Sequence, residues 1–336
     1  MDHRVLARAT ELTGEFEIRR GLPSQPDACA FVDLMNSAYT RKLSPEYYFW
    51  QYFTHPYPAV CLLAFYKGSP AATYGLLTRP VSGAAVQRIS LEVDLVVAAA
   101  FRGSPLWMRL EAEMESVAAQ SGGPLIWAFP NEASYHPRIY WLGWHGLGKI
   151  ATLAASTSIA PHLSSHSLEF APVTCFGSET DDVFERFVAD HPQLVIAGRD
   201  QTYLNWRFIN NPRYRYECFL AKRGSRPVGY LVLKQFRSPE SSLASGDLVD
   251  ILWNGEAETL IPEMLDFACL RFRSAGIETL NLWAETRTAF DQIVRSAGFS
   301  ESCQQRFWCY TQPSVCQWPE LVRSRCYLTM ADSEVY

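Results

Sequence analysis

The chain has 336 residues, 48% of them hydrophobic and 19% charged, with a formal net charge of −5. That balance gives no reason to expect the basic face a nucleic acid requires, and no apolar run reaches the roughly 18 residues of a membrane-spanning helix. The nine cysteines contain no C-x-x-C pair, so no metal is expected, and an odd number of scattered thiols fits a reduced, cytoplasmic setting.

Met1 to Phe16 mixes charges with apolar residues and lacks a signal-peptide core. Phe16 to Arg20 alternates, as a strand does. Pro26 to Tyr39 places Phe31, Leu34, Met35 and Ala38 at helical spacing. Ser44-Pro45-Glu46 is a helix start, with serine at the cap and proline in the first turn. It opens an aromatic helix from Tyr47 to Phe53. Val60 to Tyr66 and Ala72 to Leu77 read as a hairpin turning at Lys67-Gly68-Ser69-Pro70. Ile89 to Val97 is a further strand. Pro105 to Ala119 is a long helix, Leu125 to Phe129 a strand apolar on both faces, and Pro137 to Leu142 a short helix ending near Gly143. After a polar stretch from Ile159 to Ser167, which reads as a linker, the order returns. Leu168 to Val173 is a strand, Asp181 to Ala189 a helix, Thr202 to Ile209 an aromatic helix, and Tyr216 to Leu233 a hairpin. The last elements are a strand at Leu248 to Trp253, a helix at Glu258 to Arg273, a strand at Leu280 to Ala284, a helix at Ala289 to Ser296, and a strand at Arg306 to Tyr310.

The return is a repeat in register. Tyr47-x-x-Trp50-x-Tyr52-x-x-x-Pro56 answers Tyr203-x-x-Trp206-x-Phe208-x-x-x-Pro212 at a constant offset of 156 (203 − 47, 206 − 50, 208 − 52, 212 − 56). Gly68 matches Gly224, Tyr74 matches Tyr230, and Val93-Asp94-Leu95 matches Val249-Asp250-Ile251 at the same offset. Leu142-Gly143-Trp144 answers Ala297-Gly298-Phe299 at 155 (297 − 142). A period this long is a domain, not a solenoid repeat. Two copies of one α/β unit are therefore expected, residues 1–160 and 161–336, each a mixed sheet flanked by helices.

The copies part after their shared aspartates. The first runs Arg102-Gly103-Ser104-Pro105 into its long helix, and a helix start beside Arg and Gly is a cradle for phosphate. The second places Glu256 and Glu258 there, and carboxylates repel a pyrophosphate. On these residues the chain resembles the GCN5-related N-acetyltransferase (GNAT) superfamily, particularly its two-domain members. That family's pyrophosphate loop, [Gln/Arg]-x-x-Gly-x-[Gly/Ala], aligns on Arg102, while Pro105 and Trp107 replace its glycines. Phe129-Pro130-Asn131 is similar to the end of the family's fifth strand, and Leu142-Gly143-Trp144 to its Leu-Gly-Phe.

The resemblance implies an N-acyltransferase using acetyl-CoA or a longer acyl-CoA, with no metal. Its donor would be held by Val96, Val97, Arg102, Gly103, Ser104, Leu106, Trp107 and Asn131. Glu92 or Asp94 would serve as base, and Tyr140 or His136 as acid. Asp94 recurs as Asp250, which favours a structural role for it; Glu92 aligns with Leu248 and is weighted above it. Tyr140 fits core packing as well as catalysis, and recurrence of Tyr47 and Trp50 as Tyr203 and Trp206 argues for core. The second copy would be degenerate, shaping the acceptor site. The acceptor expected is a small-molecule amine, more narrowly the amino group of a nucleotide-linked sugar, as in similar bacterial enzymes. The alternatives are a Fem-like aminoacyl transferase, an acetyltransferase of proteins or polyamines, and a non-catalytic tandem module. The oligomeric state is left between monomer and homodimer.

Overall fold

The computed structural model describes residues 16–39, 42–84, 86–158, 167–237, 244–286, 288–311 and 323–333. The first half supplies strands β1 (Phe16–Arg20), β2 (Ala59–Tyr66), β3 (Ser69–Ser82), β4 (Arg88–Val97), β5 (Leu125–Ala128) and β6 (His145–Ser156). The second supplies β7 (Glu169–Val173), a short β8 (Ile196–Ala197), β9 (Glu217–Arg223), β10 (Arg226–Arg237), β11 (Ala244–Trp253), β12 (Thr279–Trp283) and β13 (Ser300–Thr311). The helices that matter for the site are α1 (Gln25–Ala38), α2 (Pro45–Phe53), α3 (Leu106–Gln120) and α4 (Glu132–Trp141). Their second-half partners are α5 (Ser178–Asp190), α6 (Gln201–Leu204, continued by a π-type turn Asn205–Ile209), α7 (Ala257–Ser274) and α8 (Ala289–Ser296). The result is the mixed α/β sheet with flanking helices that the sequence implies.

Local chemistry sets the element ends. Ser24 caps α1 by accepting from the Asp27 N–H, and Asp200 caps α6 by accepting from the Tyr203 N–H. Ser44, the counterpart of Asp200, occupies the cap of α2 with Pro45 just inside. The β2–β3 hairpin turns on Lys67 (φ 51°) and Gly68 (φ 80°), a two-residue loop with both centres left-handed, which matches the twist of the strands it joins. One helix starts earlier than the sequence suggests. α4 begins at Glu132 because Asn131 accepts from the Ser134 N–H at 3.0 Å, and Pro137 lies inside the helix rather than at its start. The stretch Ile159–Ser167 read as a linker falls outside the described residues, except Ser167.

The strands form one sheet in the order β1-β2-β3-β4-β5-β13-β6-β12-β11-β10-β9-β7. Each half's last strand has crossed over. β13 pairs with β5 and β6 with β12, while β6 and β13 pair antiparallel with each other. Between the halves, the indoles of Trp50 and Trp206 stack at 4.5 Å with planes 7° apart. Each donates its N–H to the other's backbone carbonyl at 3.0 Å. The repeat in sequence is thus an approximate two-fold axis in space, passing between these tryptophans. Apolar residues of both halves share one continuous core, and a second cluster under α3 packs Leu106, Leu110 and Met114 on β2 and β3.

The Trp pair yields a test. Trp206→Ala removes a buried indole and leaves the Trp50 indole facing a void, for an expected loss of about 3–5 kcal/mol in urea unfolding. Trp206→Phe keeps an aromatic face and loses one hydrogen bond, for about 1 kcal/mol. A loss under about 1 kcal/mol for the alanine variant would show that the pair does not hold the halves together.

Candidate functional site

β4 and β5 run parallel only from Ile89↔Leu125 to Leu91↔Trp127. Beyond Leu91 they diverge, and a cavity of about 390 Å³ opens in the wedge. Its walls are β4 from Leu91 to Leu95, the end of β5 with Phe129 to Asn131, and Ser134 and Arg138 of α4. α1 and α2, with the loop between them, add Met35, Tyr39, Leu43 and Tyr47. The other half reaches in with Arg213, Tyr214, Arg306 and Ser333. The cavity therefore sits where the halves meet.

Asp94 stands in its wall in an unusual backbone state. Its φ is +51°, at an irregularity where β4 carries one residue more than β3 between Thr73↔Val96 and Gly75↔Val93. A left-handed aspartate costs backbone energy, and such outliers concentrate at functional sites. Its carboxylate accepts a 2.7 Å hydrogen bond from the Tyr52 hydroxyl. Tyr52 reaches it only because Gly75 lies between: a Cβ on Gly75 would come within 2.0 Å of that hydroxyl oxygen. Burial pushes the Asp94 carboxyl up to about 6, against the opposing pull of Tyr52 and the Arg213 charge.

The corresponding aspartate of the second half is held from several sides. Arg199 donates to both Asp250 oxygens at 3.2 Å, and Thr329 and Tyr230 each donate at 2.8 Å. Arg199 also meets Asp332 at 2.6 Å, and Asp332 meets Arg79 of β3 at 2.9 Å. The chain from Cys326 to Ser333 fills this region, with Tyr327, Leu328 and Met330 buried. At an offset of 156 the counterpart of Arg199 is Leu43, that of Phe208 is Tyr52, and that of Leu231 is Gly75. The first half lacks the arginine and has a tyrosine with room to reach.

Glu92 is placed differently from the sequence expectation. Arg138 grips both of its oxygens, the Nε at 3.1 Å and the Nη2 closer still. Arg138 is 1% exposed, stands 3.6 Å from Glu111, and lies over the rings of Trp107 and Trp144 at 5.1 and 5.0 Å. Glu111 accepts from Trp107 at 2.8 Å and Tyr74 at 2.9 Å, and burial pushes its carboxyl up to about 7 despite Arg138. Both Glu92 oxygens are engaged by a buried guanidinium, whereas Asp94 accepts from the neutral Tyr52 hydroxyl. This geometry weighs against placing Glu92 above Asp94.

His136 and Tyr140 also move out of the site. α4 turns Ser134 and Arg138, four apart, to the cavity, so His136 between them points away. His136 and Tyr140 stack on each other in solvent, with Tyr140 75% exposed. Val96 and Val97 lie beyond the cavity, paired with Thr73 and Ala72. Asn131 lines the cavity while capping α4. The loop residues sit together on the surface side. Gly103 turns at φ +81°, and Arg102 is exposed, its Nε on the Val97 carbonyl at 3.2 Å. Pro105 proves to be the cap of α3, outside the helix proper, so its missing N–H removes none of the helix's free donors. Ser104 accepts from the Leu106 N–H at 3.3 Å, leaving the next donors of the helix end without a side-chain cap. That loop fits a diphosphate. Leu106 is core, and Trp107 turns inward to Glu111 and Arg138.

Sequence reasoning missed Arg138, Glu111, Arg213 and Arg306. For Arg213 a signal exists, because its repeat counterpart is Tyr57 (213 − 156). Among the described residues no three His, Cys, Asp or Glu side chains gather to hold a metal. His162 and His166, which stand four apart, lie outside the described residues. No described helix is long and apolar enough to cross a membrane.

No family model and no curated protein matches this sequence. Solved structures do match its shape. A GCN5-related N-acetyltransferase from Anabaena variabilis is 13% identical, with 89% of this chain and 74% of that one aligned at a TM-score of 0.65. One from Kribbella flavida is 10% identical over 89% of this chain and 72% of that one, at 0.61. Saccharomyces cerevisiae N-myristoyltransferase, solved with bound myristoyl-CoA, is 10% identical over 89% and 80%, at 0.61. Identities this low speak for architecture alone, and the architecture is that of the GCN5-related N-acetyltransferase fold.

Proposed function

We propose that the chain is an acyl-CoA-dependent N-acyltransferase built from two GNAT-like halves, residues 1–160 holding the donor and 161–336 shaping the acceptor side. The observation that carries this reading is Asp94. It is a carboxylate in the wedge of β4 and β5, freed of the arginine that neutralises its twin, and tuned by burial towards neutral pH. The GNAT-fold neighbours, one of them holding myristoyl-CoA, support the donor class.

Acyl-CoA supplies an activated thioester. Arg102, Ser104 and the open N–H groups at the start of α3 would hold its diphosphate. Asp94 takes the proton from the attacking amine, and the Tyr52 hydroxyl keeps its carboxylate oriented. The same proton is then available to the departing sulfur. The acceptor enters between α1, α2 and the second half. A nucleotide-linked amino sugar is the narrower acceptor proposed, on family resemblance. A non-catalytic module is the second reading, favoured by one feature. The Glu92–Arg138–Trp107 cluster occupies the wedge beside the loop, so it must coexist with or yield to a donor's arm.

Titration with acetyl-CoA separates the two: binding weakened about tenfold or more in Arg102→Glu supports the donor site, as loss of a charge-assisted contact requires, and no binding to the native chain supports the module. Asp94→Asn should lower kcat by about 10²–10⁴-fold with donor affinity kept. The native rate should rise with pH and level off above about 6, the value to which burial raises this carboxyl. The sign for stability is opposite. The folded pKa exceeds the ordinary 3.8, so the unfolded chain holds fewer protons between the two values and folding weakens as pH rises through that window. Chemical denaturation at pH 4 and pH 7 should show a larger loss in the native chain than in Asp94→Asn, which keeps the part due to Glu111, raised by burial to about 7. Glu92→Gln behaves otherwise: it strands the Arg138 charge and should cost about 3–5 kcal/mol of stability. If Glu92→Gln leaves stability intact and stops turnover, Glu92 regains the role of base.

A further inference from the structure

The cavity's charge does not match the chain's. Glu92 and Arg138 cancel each other across it. What remains facing the space is one carboxylate, Asp94, and two guanidinium groups, Arg213 and Arg306. Neither arginine forms an ion pair among the described residues. The Arg213 Nε is buried without a hydrogen-bond partner among them, and its guanidinium lies over the rings of Tyr47 and Tyr214, 5.9 and 4.8 Å from their centroids. Leaving such a donor unsatisfied costs free energy, and native structures rarely do so without a ligand or solvent to complete it. In a chain of net charge −5, a local excess of positive charge is not a by-product of composition.

The repeat is an internal control. The two halves share one fold, yet the first half has Tyr57 where the second has Arg213, at the offset of 156 (213 − 57), and Ala151 where the second has Arg306, at 155 (306 − 151). Packing the fold therefore requires neither arginine. Both line the cavity of the aspartate that is free of an arginine clamp. A second cavity of about 370 Å³ continues from Arg213 and Tyr214 along Arg215, Glu217 and Lys234, so basic side chains outnumber the one acid along the path away from Asp94.

Resting on the acyltransferase reading above, we propose that the acceptor is an amine carrying an anionic group, phosphate or carboxylate, with the anion seated between Arg213 and Arg306 and the amine at Asp94. Planar guanidinium groups meet both kinds of oxyanion through paired hydrogen bonds. A purely cationic acceptor such as a polyamine would meet two like charges for each carboxylate. The two arginines are binding residues that set which end of the acceptor faces the base.

The test has a binding arm and a rate arm. Inorganic pyrophosphate and malonate are titrated into the full chain by calorimetry. Pyrophosphate or malonate should bind, with affinity lost at least tenfold in Arg213→Gln and in Arg306→Gln and retained in Arg102→Glu, which separates this site from the donor loop. Binding to neither probe at millimolar concentration overturns the proposal, as does binding that Arg102→Glu abolishes. In the rate arm, glucosamine 6-phosphate is compared with glucosamine, and phenylalanine with phenylalaninamide, using acetyl-CoA. The charged member of at least one pair should be preferred at least tenfold in kcat/KM, and the arginine variants should erase that preference through KM. The pair that shows it names the anion. Equal use of charged and neutral members overturns the proposal while leaving the acyltransferase intact. Probe binding without any acetyl-CoA binding or turnover overturns the acyltransferase instead. Arg306→Gln, on a half-exposed strand position, keeps the test valid if Arg213→Gln fails to fold, and melting curves decide that.

Discussion

The molecule turns on a seam of two antiparallel strands, β6 and β13, each donated across from the half that made it. Through the exchange, backbone hydrogen bonds run from β1 to β7 without a break, and the halves cannot separate without tearing a sheet. The Trp50–Trp206 pair pins the same axis from the helical side, by stacking and by two reciprocal N–H donations. Everything about the site follows from this rigid frame. A cavity between two loosely tethered domains would change shape with their motion, whereas this one has walls from both halves on one continuous scaffold.

Near-symmetry makes the differences readable as chemistry. Both halves have a bulge in the fourth strand and an aspartate near it. In the second, that aspartate is one corner of a buried network with Arg199, Asp332 and Arg79. A buried ion pair is poor evidence of net stability, because desolvation offsets attraction. What the network does is close: it ties the segment ending at Ser333 across the place where a cavity would be. In the first, Leu43 replaces the arginine, Gly75 clears a path, and Tyr52 comes in as a single neutral donor. One hydrogen bond from a tyrosine positions a carboxylate without cancelling its charge. The difference between a locked aspartate and an open one is here a matter of three substitutions, together with the left-handed backbone that Asp94 adopts and Asp250 does not.

Much of this arrangement is legible in the amino-acid sequence. The repeat implies the two-fold relation, the Ser44-Pro45 signal places α2, and continuous apolar runs place the central strands, because each of those is set by near neighbours along the chain. Strand exchange is not legible: β6 and β13 have equivalent patterns, and nothing local says which fifth strand each will pair with. Nor is the direction of α4. Pro137 reads as a helix start on propensity, but the Asn131 cap outweighs it and turns Arg138, not Tyr140, inward. Glu92 stands out because its counterpart is Leu248; the same comparison sets Arg213 apart from Tyr57. Arg138, by contrast, announces itself only through the carboxylates it meets, and those come from other elements.

The Glu92–Arg138–Glu111 cluster has a consequence for how the wedge works. Two acids and one base share a space lined by Trp107 and Trp144, and burial raises Glu111 to about 7. Arg138 bridges the two carboxylates, gripping Glu92 through two nitrogens and standing 3.6 Å from Glu111. Arg138 is held by geometry and by two indole faces. That keeps α4 fixed against β4 at the point where the strands part, so the wedge opens on the Asp94 side and stays shut beneath it. The asymmetry of the opening leaves Asp94 facing the same space as Arg213 and Arg306 of the second half, while the Glu92 carboxylate beside it is gripped by Arg138.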